Sequence, residues 1–542
     1  MARLDPLAPD PGLKHHRFGH APALWLALPL LVGCALDQAW NPPAVLLLPA
    51  GALLLALAWG TAADARQSLA ALALAGVALG AAWHQVTTPP RGPVELRRPF
   101  AELSILVEHA NARREDEGWT GLGWVTDREG GLFRRRVALA VRGAPPAAGA
   151  ELKIAGHLAN LSPEPRGYDA WVRSQGASLR LNGGRVLGEL APASRFSRWC
   201  QRTQGELETW LRTLPWDDPD GGALLAATML GRTALLPADA KAAFGETGTL
   251  HLFAISGLHI AGMAAALLWA ARRLRLPALP AGVLVLAALW LYVEITGASP
   301  SSVRAWIMTA FVWAGRVGER STPALQSLAL ACACTLLLTP EAIGDAGFQL
   351  SYAAVLAIVA AGGPAAELAA APTLEQRLTA PSAAGPGRRG RWRARRFLVA
   401  GFCVSCAATI AGTPLTLAHF GRAAWGGILV NIALVPLSEL PLVLGLASAA
   451  LSPWPALLPF ASWLNGGAAL ALDAMTWLAA QAARVPWPEA SPGPVAPWTG
   501  ALGAGLLAAC FLAQAEARSA RRLLGGPAAL LALWWLLAFI IA

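Results

Sequence analysis

The sequence predicts a polytopic α-helical membrane protein with one inserted, small all-β domain on the extracytoplasmic side. Three observations carry this. The 542 residues are 55% apolar and only 14% charged, about half the charged share of a soluble domain. The charges collect between long apolar runs, so a bilayer is the simpler solvent for the chain. One stretch, 91–215, departs from the rest: it is polar, rich in arginine and turn residues, and alternates with the period of a strand. Part of the net charge of +10 is then topological, because Lys and Arg gather in cytoplasmic loops.

The first element, 1–90, holds three apolar segments near 22–37, 43–60 and 67–84. Each is about long enough to cross a hydrocarbon core. Arg3, Lys14 and Arg17 precede the first and Arg66 lies between the second and third. Both sites read as cytoplasmic, which places residue 90 outside. The first segment lacks a small-x-small cleavage site and is followed by further spans, so no cleavable signal is expected.

The β domain, 91–215, follows. Phe133, Arg135, Val137, Leu139 and Val141 fall on one strand face, and Arg134, Arg136, Ala138, Ala140 and Arg142 on the other. Leu152, Ile154, Gly156 and Leu158 alternate with Lys153, Ala155 and His157, and Leu179 and Leu181 flank Arg180. Turns with Gly and Pro separate these runs. A small barrel with a basic outer face is the expectation. Arg134, Arg136, Arg142, Lys153 and Arg180 are its candidate DNA contacts, since affinity for a polyanion comes largely from phosphate neutralisation. Trp119, Trp124 and Phe133 suit either stacking platforms or the barrel core, with core favoured. The domain ends in an amphipathic helix near 194–214, expected on the membrane surface.

Residues 216–361 and 397–542 form two halves of a helical bundle around a basic linker, 362–396. Spans are expected near 251–271, 277–296, 301–315, 323–338, 345–361, 397–417, 425–450, 456–480, 497–514 and 523–542. The less apolar, Gly-containing stretch 221–250 reads as a short helix or a re-entrant piece. Arg272, Arg273, Arg275, Arg316, Arg320, the arginines of 388–396, Arg518, Arg521 and Arg522 all fall in loops that alternation places inside. Topogenic solvation explains the linker arginines at least as well as contact with a substrate.

Ionisable and polar residues within spans are costly and mark functional candidates. The densest group is Gly248, Thr249, His251, Ser256, Gly257 and His259. Ser256 and His259, three apart, share a helix face, and both an interhelical contact and a pathway role fit them. A hydrolytic Ser256/His259 pair acting on a lipid-linked substrate is the alternative. The G-x-S-x-G elbow is missing, however, and no carboxylate lies within a turn of His259. Glu294 or Asp345 would have to approach from another helix. Further in-span candidates include Ser299, Ser302, Arg304, Asp345, Gln349, Ser351, Thr413, His419, Asn431, Glu439, Asn465 and Asp473. The seven cysteines imply no disulfide framework, and Cys403-x-x-Cys406 sits in an apolar run where Cys is a packing residue. Neither a metal-ligand spacing nor a Walker A loop occurs, so no cofactor, metal or nucleotide hydrolysis is expected.

Several motifs together resemble one family. HLFAISGLHI (His251–Ile260) lies within a longer match from residue 221 to 272. TGASPSSVRAWIM (Thr296–Met308), DAGFQLSYAAVLAIV (Asp345–Val359) and GTPLTLAHFG (Gly412–Gly421) follow in order, then Asn431 and Pro436. SPEPRGYDAWVRSQGASL (Ser162–Leu179) is similar to the end of an external domain. These are features of the ComEC competence family, bacterial DNA-uptake channels. The resemblance implies an OB-like external domain and an inner-membrane channel that passes one strand of DNA during natural transformation. It also implies an external DNA receptor, a cytoplasmic motor or single-strand-binding protein, and a separate nuclease as partners. His251, Ser256, Gly257, His259, Ser302, Arg304, Asp345, Gln349, Ser351, Thr413, His419 and Asn431 become the expected DNA pathway. Many family members carry a C-terminal metallo-β-lactamase-like domain. No histidine follows His419 here, so a short form without that domain, and without nuclease activity of its own, is expected.

Overall fold

The computed structural model describes residues 22–60, 65–88, 99–112, 118–128, 131–161, 168–317, 324–370, 386–485, 487, 489–490, 497–514 and 520–541. Three apolar helices open it: α1 (Leu24–Trp40), α2 (Ala44–Gly60) and α3 (Ala65–Thr87). Glycine lets α1 and α3 touch backbone to backbone, since a Cβ on Gly33 would sit 2.2 Å from the Val77 carbonyl oxygen. The basic residues Arg3, Lys14 and Arg17, on which the inward start was argued, lie outside the described residues.

The β domain is a closed five-stranded barrel. Its strands are β1 (Phe100–Ala112), β2 (Gly118–Val125), β3 (Arg136–Arg142), β4 (Glu151–Asn160) and β5 (Leu179–Ala191). They close in the order β1-β2-β3-β5-β4, and only β3 and β5 run parallel. The alternation read from the sequence fills the interior: Val137, Leu139, Val141, Leu152, Ile154, Leu158, Leu179 and Leu181 are buried around Trp119. The strand starts later than its pattern suggested. Phe133 and Arg134 form a turn, with Arg134 at φ 59°, a left-handed conformation that takes it out of the ladder. The opposite face of β3 is not simply solvated. The short helix α4 (Tyr168–Ser174), between β4 and β5, packs Val172 against Ala138 and Leu122.

Helix α5 (Arg195–Leu211) starts under a Ser194 cap that accepts from the Ser197 amide. Its C-terminal half does not lie free on a membrane surface. Trp210 Nε1 donates to Ser448 Oγ at 3.0 Å, and Asn465 Nδ2 donates to the Trp210 carbonyl at 3.1 Å. Phe196 and Trp199 at its N-terminal end are exposed.

The stretch 221–250 resolves into short helices rather than one span: α6 (Pro219–Leu230), buried on every side, and α7 (Ala238–Glu246). Then come α8 (Gly257–Arg273), α9 (Ala278–Ile295), α10 (Pro300–Val317), α11 (Ala324–Leu338) and α12 (Ala346–Ala370). The 251–271 span is corrected here: residues 250–253 form a 3-10 turn, and the helix begins only at Gly257. The second half contains α13 (Pro386–Phe420), α14 (Gly427–Leu451), α15 (Leu458–Ala483), α16 (Pro497–Gln514) and α17 (Ala520–Ile541). Within the expected linker 362–396, Arg388 to Arg396 belong to the first turns of α13, while 371–385 lie outside the described residues.

Among the described residues, six helices are long and apolar enough to cross a membrane, and four more apolar helices are shorter. This is a multi-pass helical membrane protein with a small barrel domain. One core cluster joins α6, α8, α9, α10, α14 and α15; a second joins α12, α13, α16 and α17; a third joins α1, α10, α11 and α12.

Candidate functional site

The helices α8, α10 and α12 begin side by side, and their first turns build the site. Ser256 caps α8: its Oγ accepts from the His259 amide and His259 Nδ1 accepts from the Ser256 amide, both at 3.4 Å. This capping box fixes the ring. With Nδ1 an acceptor, the proton sits on Nε2, and His259 Nε2 is buried without a partner. Ser256 and His259 are thus engaged with each other's backbone, so Oγ and imidazole are not arranged as nucleophile and base. His251, in the 3-10 turn Leu250–Phe253 that precedes α8, is exposed and donates from Nδ1 to the Gly248 carbonyl at 3.2 Å. Gly257 is exposed too, with open space where a side chain would stand except for Ala305 at 4.0 Å.

The start of α10 is tied to this segment. Ser301 Oγ donates to the Ile255 carbonyl at 2.9 Å. Ser302 is fully buried and turns its hydroxyl onto the Ser299 carbonyl at 2.8 Å. Arg304, one turn into α10, is 3% exposed and lies 3.7 Å from Asp345 Oδ2, the residue before α12. That separation gives an ion pair without a close hydrogen bond, and Arg304 Nε is left buried without a partner. Asp345 Oδ2 accepts from the Phe348 amide at 3.0 Å and so also caps α12. Gly347 keeps the space open: a Cβ there would meet Arg304 Nη2 at 3.3 Å.

Gln349 extends the row into the second half. His419 Nε2, at the end of α13, donates to Gln349 Oε1 at 3.0 Å, and Gln349 Nε2 donates to the Ile343 carbonyl at 2.8 Å. Asn431, near the start of α14, has a buried Oδ1 without a partner. Its helix starts against α7, where a Cβ on Gly427 would lie 3.2 Å from the Thr247 carbonyl oxygen. Thr413 and Ser351 do not join the cluster in the same way. Thr413 Oγ1 donates to the Thr409 carbonyl of its own helix at 2.7 Å, and Ser351 is half-buried on α12.

The barrel meets this site through a contact the sequence reading missed. Arg136, expected on the basic outer face, is 5% exposed. It donates from Nε and Nη2 to Glu108 at 2.9 and 2.5 Å, reaches the Gln175 carbonyl, and lies 3.6 Å from Glu341 Oε1. Its guanidinium also stacks over Trp124 at 5.5 Å. It is therefore corrected from a DNA contact to a docking residue. Glu341 belongs to the 3-10 turn Pro340–Gly344, the same turn that Gln349 holds through Ile343. Burial raises the Glu341 carboxyl pKa, against the pull of Arg136. Burial likewise lowers the imidazole pKa of His109, beside Glu108 and Arg136. Of the other expected contacts, Lys153 pairs with Glu102 and Arg180 with Asp169, each at 3.0 Å. Arg134 and Arg142 are exposed. Trp119 is in the core, and exposed Phe133 carries Arg128 over its ring at 5.5 Å.

A second missed feature is the pair Asp37–His84, fully buried between α1 and α3 at 2.6 Å. Any ionisable residue within an apolar run is a signal, and these two carried it. Among the described residues, no cluster of three or more His, Cys, Asp or Glu is placed to hold a metal ion.

The competence protein family matches residues 228–517, a stretch longer than half the chain, and it contains every in-span candidate just described from His251 to Asn431. ComE operon protein 3 of Bacillus subtilis (strain 168) is 33% identical over 141 residues, 26% of this chain and 18% of that protein. Competence protein ComA of Neisseria gonorrhoeae is 34% identical over 211 residues, 35% of this chain and 29% of that protein. The uncharacterised protein YcaI of Escherichia coli (strain K12) is 29% identical over 192 residues, 32% of this chain. The matched segments thus span less than a third of each relative's length. No solved structure matches the chain. With its family model covering the helices that build the polar mouth, the chain belongs to the ComEC competence protein family.

Proposed function

We propose that this protein conducts single-stranded DNA across the bacterial inner membrane into the cytoplasm during natural transformation. The observation that carries the reading is the pair of buried, unpartnered N–H donors, His259 Nε2 and Arg304 Nε, at the joined N-termini of α8 and α10. Unpaired buried donors are costly. Helix N-termini favour anions, and phosphodiester oxygens are acceptors that carry negative charge. Asp345, Gln349, His419 and Asn431 continue a hydrophilic wall that a hydrated strand requires. The relative from N. gonorrhoeae is named a competence protein, as is the family that matches this chain, which supports the same role.

In this reading the N-terminus is cytoplasmic and the barrel, which is OB-like, stands outside. It presents Arg134 and Arg142, with Lys153 and Arg180 able to exchange a carboxylate for a phosphate. A DNA receptor delivers the strand, a separate nuclease removes its complement, and a cytoplasmic motor or single-strand-binding protein receives it. The lipid-substrate enzyme is disfavoured because Ser256 is a helix cap. The test is import of labelled DNA in a deletion strain complemented with the wild-type chain, His259→Ala or Arg304→Ala. The wild type restores import and both variants lower it at equal membrane abundance. Wild-type import by both variants refutes the pathway.

A further inference from the structure

Glu439 sits near the middle of α14, a helix of 25 residues and one of those long enough to span. It faces α8 at Gly262, where a Cβ would fall 2.0 Å from Glu439 Oε2, so only glycine admits the carboxyl there. Gly262 is three residues after His259 and therefore its neighbour on the surface of α8. Glu439 thus stands about one turn deeper than the unpartnered imidazole.

Glu439 is half-buried, and among the described residues no counter-charge pairs with it. Its Oε1 is buried with no hydrogen-bond partner, and among the described residues no ion pair reaches it. The elements packed against α14 carry ionisable groups, but none pairs with Glu439. Glu208 of α5 is held by Arg212 and Arg232, and His419 of α13 by Gln349. Asp220 of α6, His259 of α8 and Asp473 of α15 form no bond to Glu439. An unpaired carboxylate in hydrocarbon costs several kcal/mol, whereas a neutral carboxylic acid needs only an acceptor. Acceptors are built in. Pro436 and Pro441 interrupt α14 on either side of Glu439. Each lacks an N–H, which frees the carbonyls of Ile432 and Leu437. Side chains on a helix lean back toward its N-terminus, so the Ile432 carbonyl that Pro436 frees lies on the side toward which Glu439 leans.

We propose that Glu439 is a proton-binding site midway along α14, on the side that meets α8, which exchanges its proton with the strand path and couples inward proton movement to DNA entry. The step is a carboxylate taking up one proton from the outer side and releasing it to the inner side, with no other bond changed. Coupling rests on the channel reading; the protonated site does not.

The experiment has two arms. In infrared difference spectra of the full chain in lipid nanodiscs at neutral pH, a protonated-carboxyl band is expected, absent in Glu439→Gln and altered by a single-stranded oligonucleotide. In the complemented deletion strain, Glu439→Gln, an isostere of the acid that packs like it but cannot exchange a proton, lowers import by on the order of tenfold or more. Glu439→Asp retains part of it. A spectrum without a Gln-sensitive band, a band that follows sodium instead of pH, or wild-type import by Glu439→Gln overturns the proposal. If the wild-type chain itself fails to restore import, the channel reading fails and the infrared arm still decides the site.

Discussion

The ion pair Arg304–Asp345 separates a structural role from a pathway role. At 3.7 Å and nearly full burial, the Coulomb attraction is about 4–5 kcal/mol at an effective dielectric of 20. Desolvation of both groups offsets much of it, but removing one partner strands the other. Arg304→Met and Asp345→Asn should each destabilise the protein by about 3–5 kcal/mol. Asparagine keeps an oxygen for the Phe348 amide, so the α12 cap survives. The double variant removes both charges and should recover most of the stability, to within about 1–2 kcal/mol of wild type. If Arg304 offers Nε to phosphates, import does not recover with it. A lost charge-assisted hydrogen bond of about 1.5–3 kcal/mol corresponds to roughly 10- to 100-fold in rate. Thermal unfolding in detergent and DNA import, measured on all four proteins, give the answer. A double variant that regains both stability and wild-type import refutes a phosphate role for Arg304.

Three further outcomes follow from the same geometry. Ser256→Ala removes the cap of α8 and should cost about 1 kcal/mol in detergent melts, with His259 freed to rotate and import reduced; unchanged stability would show the cap is idle. Gly262→Ala drives a methyl into the Glu439 carboxyl and should destabilise by about 1–3 kcal/mol, more than Gly257→Ala, where the space is open. The docking network titrates in two directions. Glu341, with its folded pKa raised, contributes stability that is complete below its unfolded value of 4.5 and is lost as pH rises through the folded one. His109, with its folded pKa lowered, contributes stability that is complete above 6.5 and is lost as pH falls below it. Protease release of the barrel from the full chain should therefore rise with pH through the Glu341 window and rise with acidification through the His109 window, with no optimum between 4.5 and 6.5. Glu341→Gln flattens the alkaline side and His109→Gln the acid side, and profiles identical to wild type would exclude both groups.

Period and apolarity made most of the fold legible. The alternations at 137–141, 152–158 and 179–181 are the inward faces of the barrel, because a closed sheet has one dry side and the pleat enforces it. Helix starts were harder. The run from His251 is apolar enough to read as a span, yet Gly248 at φ 70° and the Ser256 cap delay α8 to Gly257, and hydropathy carries no information about caps. The site residues were legible as intramembrane polar groups, but their pairings were not. His419 and Gln349 are 70 residues apart in the chain, and no local pattern joins them. Arg136 shows the opposite failure. Alternation put it outside the barrel core, correctly, but outside the core is not the same as facing water once α4 and the 340–344 turn cover that face.

That turn joins the basic barrel to the polar mouth, as the channel reading requires. The barrel, α12 and α1 each touch the five residues Pro340 to Gly344. Arg136 of the barrel approaches Glu341, and Gln349 of α12 holds the Ile343 carbonyl. Gln38 of α1 fills the space a side chain on Gly344 would need, and Asp345, the next residue, faces Arg304. A barrel tethered only by its flanking chain would sample many positions, and the effective concentration of captured DNA at the mouth would fall as that volume grows. Docked on Glu341 of this turn, it stands four residues from Asp345 of the Asp345–Arg304 pair, which on the channel reading sets a strand on its surface beside the helix N-termini. The buried Arg136 is then the residue that fixes the barrel against the turn.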